Sequence, residues 1–204
     1  MNVTGTSSEH QPLVLHTRPA FEMSDESFFD FCQANREWRI ERNAEGEILV
    51  MPPAGGETSH GNAILTTALT TWAGQEGTGV AFDSSGGFQL PNRAIRSPDA
   101  TWVKKSRLAA LTSEQKKRFL PLCPDFVIEL RSPSDPLQTL QNKMQEYIDN
   151  GALLGWLLDA PNRRVYIHRP GKTVECLEQP SAIFGEPELP GFVLELAKIW
   201  QPDF

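Results

Sequence analysis

The segments PDFVIEL (124–130), SPSDPLQTLQNKMQEYIDNG (132–151) and LLGWLLD (153–159) decide the fold. The first and third are short, apolar and bounded by Pro or Gly, which is typical of strands buried on both faces of a sheet. Asp135, followed by a proline, marks the start of a helix between them, and Gly151 suits its left-handed C-terminal end. This order of strand, helix and strand predicts a β-α-β crossover with two parallel strands.

The remaining elements are predicted from apolar spacing, helix caps and turn residues. They are a helix after Ser24, a β-hairpin over 38–51, a helix over 64–77, strands at 79–83, 86–90 and 99–105, a short helix opened by a Thr112–Gln115 capping box, and a hairpin of 164–169 with 172–178. We therefore expect an α/β domain, in which a mixed β-sheet is flanked by helices, with an N-terminal helix and a β-hairpin. Residues 1–20 are polar and aperiodic and are predicted to form a flexible N-terminal arm, and residues 21–204 a single domain.

The composition indicates a globular protein of the cytoplasm with no membrane association. Of 204 residues, 39% are hydrophobic and 22% charged, and no apolar run approaches the roughly 20 residues that span a bilayer. Cys32, Cys123 and Cys176 are widely spaced and form no CxxC pair, which favours free thiols over a zinc site. The net charge of −7 argues against a protein that coats nucleic acid, but it allows an enzyme with local cations around an acidic metal site.

Two acidic residues are candidates for chemistry. Asp99 follows Pro98 at the head of a predicted strand, and Glu129 lies among the apolar residues of PDFVIEL. A carboxylate in such a run needs compensation, because an unpaired buried charge costs several kcal/mol or shifts its pKa. A divalent cation bound through oxygens supplies that compensation. Alternatively, Glu129 marks the polar edge of the strand or pairs with Arg131.

Lys143 is the third candidate. It lies on the helix between the two parallel strands and shares a face with Thr139 and Tyr147. From that face a lysine can reach the end of the preceding strand, where it would orient a water or stabilise negative charge on a phosphate. The alternative is a lysine whose stem packs on the protein while its ammonium remains in water.

These residues carry a resemblance to a known family. SPD (97–99), PDFVIELRSPSD (124–135) and LGWLLD (154–159), in this order, resemble the Uma-two family of endonucleases, which belongs to the PD-(D/E)xK restriction-endonuclease-like superfamily. The resemblance covers about residues 22–200. It implies a restriction-endonuclease-like mixed sheet flanked by helices, with Asp99 and Glu129 as ligands of Mg²⁺ or Mn²⁺.

One position departs from the superfamily pattern. Its lysine usually stands two residues after the glutamate, where this sequence has Arg131, which stays charged and cannot readily act as a base. The resemblance is to variants whose lysine has migrated to the following helix, which gives Lys143 that role. Further candidates for the outer part of the site are Glu41, Glu47, Glu57 and His60, although Glu57 is better explained as a helix-start acid and His60 as a satisfied helix-start histidine.

The resulting hypothesis is a metal-dependent endonuclease that hydrolyses phosphodiester bonds, with nucleic acid, by analogy DNA, as its substrate. Its rival is a catalytically silent nucleic-acid-binding or protein-interaction module on the same fold. The nuclease hypothesis predicts that the carboxyl groups of Asp99 and Glu129 point into a common, partly open pocket. A homodimer would supply the two sites that cutting a duplex requires, and the apolar stretch LPGFVLELAKIW (189–200) is a candidate interface. Alternatively, this stretch closes the core of the monomer.

Overall fold

The computed structural model describes residues 12–204 of the chain. The α-helices are α1 (Asp25–Ala34), α2 (Gly56–Glu76), α3 (Lys105–Ala109), α4 (Leu137–Asp149) and α5 (Ala197–Trp200). The strands are β1 (Leu13–Leu15), β2 (Arg39–Arg42), β3 (Ile48–Met51), β4 (Gly79–Asp83), β5 (Phe88–Gln89), β6 (Ile95–Arg96), β7 (Ala100–Lys104), β8 (Phe126–Arg131), β9 (Leu154–Asp159), β10 (Arg164–His168), β11 (Glu175–Glu178), β12 (Ala182–Phe184) and β13 (Val193–Glu195).

The larger sheet is mixed and is built around the predicted crossover. Its strand order is β11-β10-β9-β8-β7-β4. β8 and β9 are parallel neighbours joined through α4, and the other neighbouring strands of this sheet pair antiparallel. The crossover and the mixed α/β sheet are therefore confirmed. The β10–β11 hairpin lies at the edge, as expected.

The two faces of this sheet are covered by different helices. On one face Val127 of β8 packs in a cluster with Tyr147 of α4. On the other face Ile128 packs in a cluster with Leu65 of α2. Because successive side chains of a strand point to opposite faces, Glu129 lies on the same face as Val127, towards α4.

The apolar stretch near the C-terminus completes the core on the α2 side. Its buried members are Leu189, Phe192, Leu194, Leu196 and Ile199. The alternative that this stretch closes the monomer's own core is thus confirmed. The stretch no longer argues for a dimer, and the dimer itself stays a prediction.

The hairpin over 38–51 belongs to a second sheet, not to the margin of the larger one as expected. This sheet has the order β1-β3-β2-β6-β5, and Gly46 adopts a φ of 90° in the hairpin turn. Most of the predicted N-terminal arm, residues 1–11, lies outside the described residues. Within the remainder, Leu13–Leu15 pairs with β3 through backbone hydrogen bonds, which the local sequence pattern did not reveal.

Two of the predicted helix-capping interactions are present in the structure. The Ser24 side chain accepts a hydrogen bond from the Ser27 N–H and caps α1. Thr112 and Gln115 form the reciprocal bonds of a capping box, at 3.2 and 2.9 Å, but only a 3₁₀ turn follows. Across residues 12–204, none of the helices combines the length and the hydrophobicity needed to cross a membrane.

Candidate active site

Asp99, the residue immediately before β7, lies beside Glu129 of the neighbouring strand β8. In the antiparallel pair β7–β8, Ala100 faces Ile128 and Thr101 faces Val127. One further residue in this register brings Asp99 to Glu129, and directly opposed side chains emerge on the same face of a sheet. The Asp99 carboxylate is fixed at this end because its Oδ2 accepts the N–H of Leu130, at 2.8 Å.

Asp99 also binds residues from both sides of the sheet. Its Oδ1 accepts hydrogen bonds from Arg39 Nη1, at 2.9 Å, and from Asn62 Nδ2, at 3.2 Å. Arg39 comes from β2 of the second sheet, and Asn62 comes from α2. That helix approaches β8 closely, because a Cβ at Gly61 would lie 2.5 Å from a methyl carbon of Leu130. Gly61 therefore allows α2 to bring Asn62 to Asp99.

Lys143 bridges two glutamates. Its Nζ lies 2.8 Å from Glu129 Oε1 and 2.9 Å from Glu41 Oε1. One helical turn later, the Tyr147 hydroxyl donates to the same Glu129 oxygen at 2.9 Å, which is the i, i+4 spacing of one helix face. The structure thus brings Lys143 to Glu129 from the following helix and joins both to Glu41.

Glu41 is the link between the site and the second sheet. Its Oε2 accepts from Arg96 Nη1 at 3.2 Å, and its Oε1 accepts from the Ser97 N–H at 3.0 Å. Arg96 in turn binds Glu146 of α4 through Nε, at 2.7 Å. Arg39 Nη2 lies 4.0 Å from Glu41, so two arginines and Lys143 surround this one carboxylate.

Burial and the neighbouring charges lower the pKa of one buried glutamate, Glu41, and raise the pKa of the other, Glu129. Burial would raise the pKa of Glu41, but Lys143, Arg96 and Arg39 outweigh it and lower the pKa to about 2. For Glu129, burial raises the pKa, Lys143 opposes the rise, and the Asp99 and Glu41 charges add to it. Burial would lower the pKa of Lys143, but Glu129 and Glu41 outweigh it and raise that pKa above its usual value. Lys143 is therefore an ammonium at neutral pH.

The carboxylates of this network are almost completely enclosed. Asp99, Glu129 and Glu41 are 4%, 3% and 2% exposed, in contrast to the open pocket that the sequence led us to expect. A solvent-open surface depression of about 490 Å³ lies along α4 with Glu146 in its wall, and none of Asp99, Glu129, Glu41 and Lys143 lines it. Of the site cations, Arg39 is the most exposed, with 31% of its side chain in solvent against 12% for Lys143.

Comparison with known proteins identifies the family. A family model described as "Uma2: Putative restriction endonuclease" matches residues 25–197. The chain belongs to the Uma2 family. The resemblance seen in the sequence is thereby confirmed, and a nuclease-type fold is shared with a crystal structure titled "a putative nuclease belonging to DUF820 from Anabaena variabilis ATCC 29413". That structure is 18% identical, with a TM-score of 0.72 over 87% of this chain and 97% of the other. Among curated proteins, none matches this chain.

The other predicted site residues of this Uma2 chain lie apart from the Asp99–Glu129–Lys143 group. Arg131 donates to Asp159 Oδ1 at 2.7 Å and to the Asp135 carbonyl at 2.8 Å, so its guanidinium does not take the lysine position. Glu57 is exposed in the first turn of α2. The His60 ring packs edge-on against Phe204, with ring centres 5.2 Å apart. Glu41 is the outer candidate that the structure joins to Lys143.

Sequence reasoning missed three residues of this Uma2 site: Arg39, Asn62 and Arg96. The available signal was the alternation in the hairpin 38–51, where Arg39 and Glu41 lie on the face opposite to Ile40. This polar face does not lie in solvent, because Glu41 is buried and Arg39 is half-buried. Two opposite charges two residues apart on one strand were thus a sign of a buried ion-pair network.

The oxygen donors at Asp99 and Glu129 fit a hard divalent cation. Glu129 makes both its contacts through Oε1, and among the described residues nothing donates a hydrogen bond to Oε2. Asn62 Oδ1 is buried without a hydrogen-bond partner, although Nδ2 of the same amide binds Asp99. Residues 12–204 contain no group of three or more His, Cys, Asp or Glu that could hold a metal ion by themselves. The fitting donor set is therefore two carboxylates with a neighbouring amide oxygen.

Proposed function

We propose that this Uma2 protein is a metal-dependent endonuclease that hydrolyses DNA phosphodiester bonds. Asp99 and Glu129 would hold Mg²⁺ or Mn²⁺, and Lys143 would act beside them. One observation carries the proposal. A lysine from the helix after β8 lies 2.8 Å from Glu129, the residue directly across the strand pair from Asp99. Two acids and a lysine in this relation are the parts that metal-assisted phosphodiester hydrolysis needs.

The chemistry divides among these residues. A divalent cation bound there would polarise the phosphate and lower the pKa of a coordinated water. Asp99 is held for this purpose by the Leu130 N–H and by Asn62, so its carboxylate does not have to reorganise. Glu129 is oriented by the Tyr147 hydroxyl, which stays a neutral hydrogen-bond donor because burial raises the pKa of this tyrosine well above its usual value.

Lys143 acts in this scheme as a cation and not as a general base. Its raised pKa keeps it protonated, and Glu41 holds its ammonium together with Glu129. A fixed ammonium beside the reacting phosphate stabilises the negative charge that develops during hydrolysis. Arg131 does not supply this charge, because its guanidinium is engaged by Asp159.

DNA is the proposed substrate because the matching family is described as a restriction endonuclease family. With a net charge of −7, affinity for the strand must come from local cations and the bound metal. A two-fold dimer would give two cuts in a duplex, and light scattering at micromolar concentration tests it. A monomeric mass under cleavage conditions would exclude the dimer without excluding single-strand nicking.

A nuclease assay of the purified chain tests the proposed activity. Plasmid DNA and single-stranded DNA are incubated with Mn²⁺, with Mg²⁺ or with EDTA. We expect cleavage only with a divalent metal and its loss in Asp99→Asn. The matched control is Asp125→Asn, which changes a carboxylate on the same pair of strands away from the site. Equal cleavage by the two variants, or cleavage in EDTA, would refute the proposal.

The silent-module alternative is favoured by one specific observation. Asp99, Glu129 and Glu41 are each already paired with a cation, with Arg39, Lys143 and Arg96 respectively. Such a network of ion pairs could simply tie the two sheets and α4 together. This alternative predicts neither metal binding nor cleavage, and it predicts the same loss of stability when any member is removed.

A further inference from the structure

Arg39 stands apart from the other cations of the site. Arg96 is committed to Glu41 and Glu146, and Lys143 to Glu41 and Glu129, and both side chains are about nine-tenths buried. Arg39 binds Asp99 through Nη1 and the Ser97 carbonyl through Nη2, yet 31% of its side chain remains in solvent. It therefore forms the part of the charged network that a molecule in solution can touch.

The guanidinium of Arg39 also has hydrogen-bonding capacity left over. An arginine has five N–H donors, and the Asp99 and Ser97 contacts use one on each terminal nitrogen. Arg39 Nε is buried without a partner, and so is Asn62 Oδ1 on the other side of Asp99. Unpartnered buried polar atoms are rare in folded proteins and indicate where a water, an ion or a ligand belongs. Of these two atoms, Asn62 Oδ1 is an acceptor and suits a cation or a water, whereas Arg39 Nε is a donor and suits an anion or a water.

We propose that Arg39 binds a backbone phosphate of the nucleic-acid strand at the entrance of the site. The inference rests on the proposed nuclease function and extends it by naming the residue that receives the substrate. A guanidinium is suited to this role because its planar fork matches two phosphate oxygens. Since Arg39 is bonded to Asp99, a phosphate bound to this guanidinium lies next to the carboxylate proposed to hold the metal. The same arginine that balances Asp99 thus places the strand beside it.

Oligonucleotide binding without metal tests this role separately from cleavage. The probe is a short fluorescein-labelled single-stranded DNA, followed by anisotropy in EDTA over a series of salt concentrations. The variants are Asp99→Asn and the double variant Arg39→Gln with Asp99→Asn. This pair avoids the buried, unpaired Asp99 charge that Arg39→Gln alone would leave. Arg36→Gln, an exposed arginine three residues away, controls for the loss of one positive charge.

We expect Asp99→Asn to bind the probe at least as tightly as the wild type, because the substitution frees Arg39. The double variant should bind about tenfold or more weakly than Asp99→Asn, on the scale of losing a charge-assisted hydrogen bond. Its plot of log affinity against log salt should flatten by about 0.7, as for one lost phosphate contact on a single strand. Arg36→Gln should behave like the wild type.

Equal affinity of Asp99→Asn and the double variant would overturn the role of Arg39, and so would the absence of any binding by the wild type and Asp99→Asn. Cleavage with Mn²⁺ distinguishes the two hypotheses. If the wild type cleaves DNA but its binding does not depend on Arg39, the nuclease hypothesis stands and the proposed role of Arg39 is rejected. If binding depends on Arg39 but no cleavage occurs, the phosphate-binding role of Arg39 stands and the nuclease hypothesis is rejected.

Discussion

Two carboxylates, Asp125 just before β8 and Glu129 within it, are almost equally buried but differ in the charges that surround them. Asp125 is 4% exposed and Glu129 is 3% exposed. Asp125 has one cation, Arg107 at 3.2 Å, and accepts the Lys104 N–H at 2.9 Å. Glu129 shares its cation with Glu41 and lies opposite a third acid, Asp99.

The difference between these two sites lies in charge density, not in burial. Around Asp125 one acid meets one cation and a backbone donor, which is sufficient to tie a strand to its neighbour. Around Glu129 three acids converge, and their mutual repulsion contributes to its raised pKa. Such an arrangement is costly for a purely structural site, and perturbed carboxylates of this kind cluster at functional sites. A buried acid therefore becomes a functional candidate when other acids converge on it.

The largest effect should be on turnover. We expect Glu129→Gln to reduce metal-dependent DNA cleavage by at least about 10²-fold, because several kcal/mol of transition-state stabilisation depend on the bound cation. Asp125→Asn should keep wild-type turnover. Initial rates on one plasmid substrate, with melting temperatures to confirm folding, measure both. A comparable loss of turnover in the two folded variants would contradict the claim that Glu129, unlike Asp125, is needed for cleavage.

Removing the cation should cost more stability at Glu129 than at Asp125. Lys143→Met leaves Glu41 and Glu129 without their shared ammonium and should lower the free energy of unfolding by about 3–5 kcal/mol. Arg107→Met should cost about 1 kcal/mol or less, because Arg107 is partly in solvent and the Lys104 N–H remains. Urea unfolding in EDTA measures both changes.

If Lys143 contacted only the phosphate, its substitution would reduce turnover and leave the stability of the protein unchanged. Since Lys143 is bonded to two buried glutamates, its substitution affects both quantities. Mn²⁺ should restore part of the lost stability, because a cation bound to the native state replaces the missing charge. A Lys143→Met variant as stable as the wild type in EDTA would show that the glutamates do not need this ammonium.

The smallest effect concerns pH. Burial, Asp99 and Glu41 raise the pKa of Glu129 above 4.5, so the native state keeps this proton where the unfolded state has lost it. As the pH rises from 4.5 through the raised pKa, the wild type should lose stability relative to Glu129→Gln, which does not titrate. The slope is at most about 1.4 kcal/mol per pH unit. Urea unfolding of both proteins in EDTA at a series of pH values gives the difference, and a difference independent of pH above 4.5 would contradict the raised pKa.

The crossover could be predicted from sequence because its signals are local. PDFVIEL, the helix start at Asp135 and the stop at Gly151 each lie within a few residues of the structure they specify. Placing Asp99, Glu129 and Lys143 together required the family resemblance in addition, because no local pattern pairs β7 with β8. Their chemical roles stay predictions.

The second sheet and the partners of the acids could not be predicted, because they depend on contacts between distant parts of the chain. Arg39 and Asp99 are 60 residues apart, and Lys143 and Glu41 are 102 apart. The short strand β1 has exposed side chains and is held by backbone pairing, so it leaves little trace in hydrophobic periodicity. Tertiary packing also turned the polar face of the first hairpin inward.

Mn²⁺ titration of three proteins tests the central claim most directly, which is that Asp99 and Glu129 bind a divalent cation and Asp125 does not. Isothermal titration calorimetry is performed on the wild type, Glu129→Gln and Asp125→Asn, each confirmed as folded by its melting temperature. We predict saturable Mn²⁺ binding by the wild type and Asp125→Asn, and its loss or a weakening of about tenfold or more in Glu129→Gln. Equal Mn²⁺ affinity of Glu129→Gln and the wild type, or no binding by the wild type, would contradict the claim.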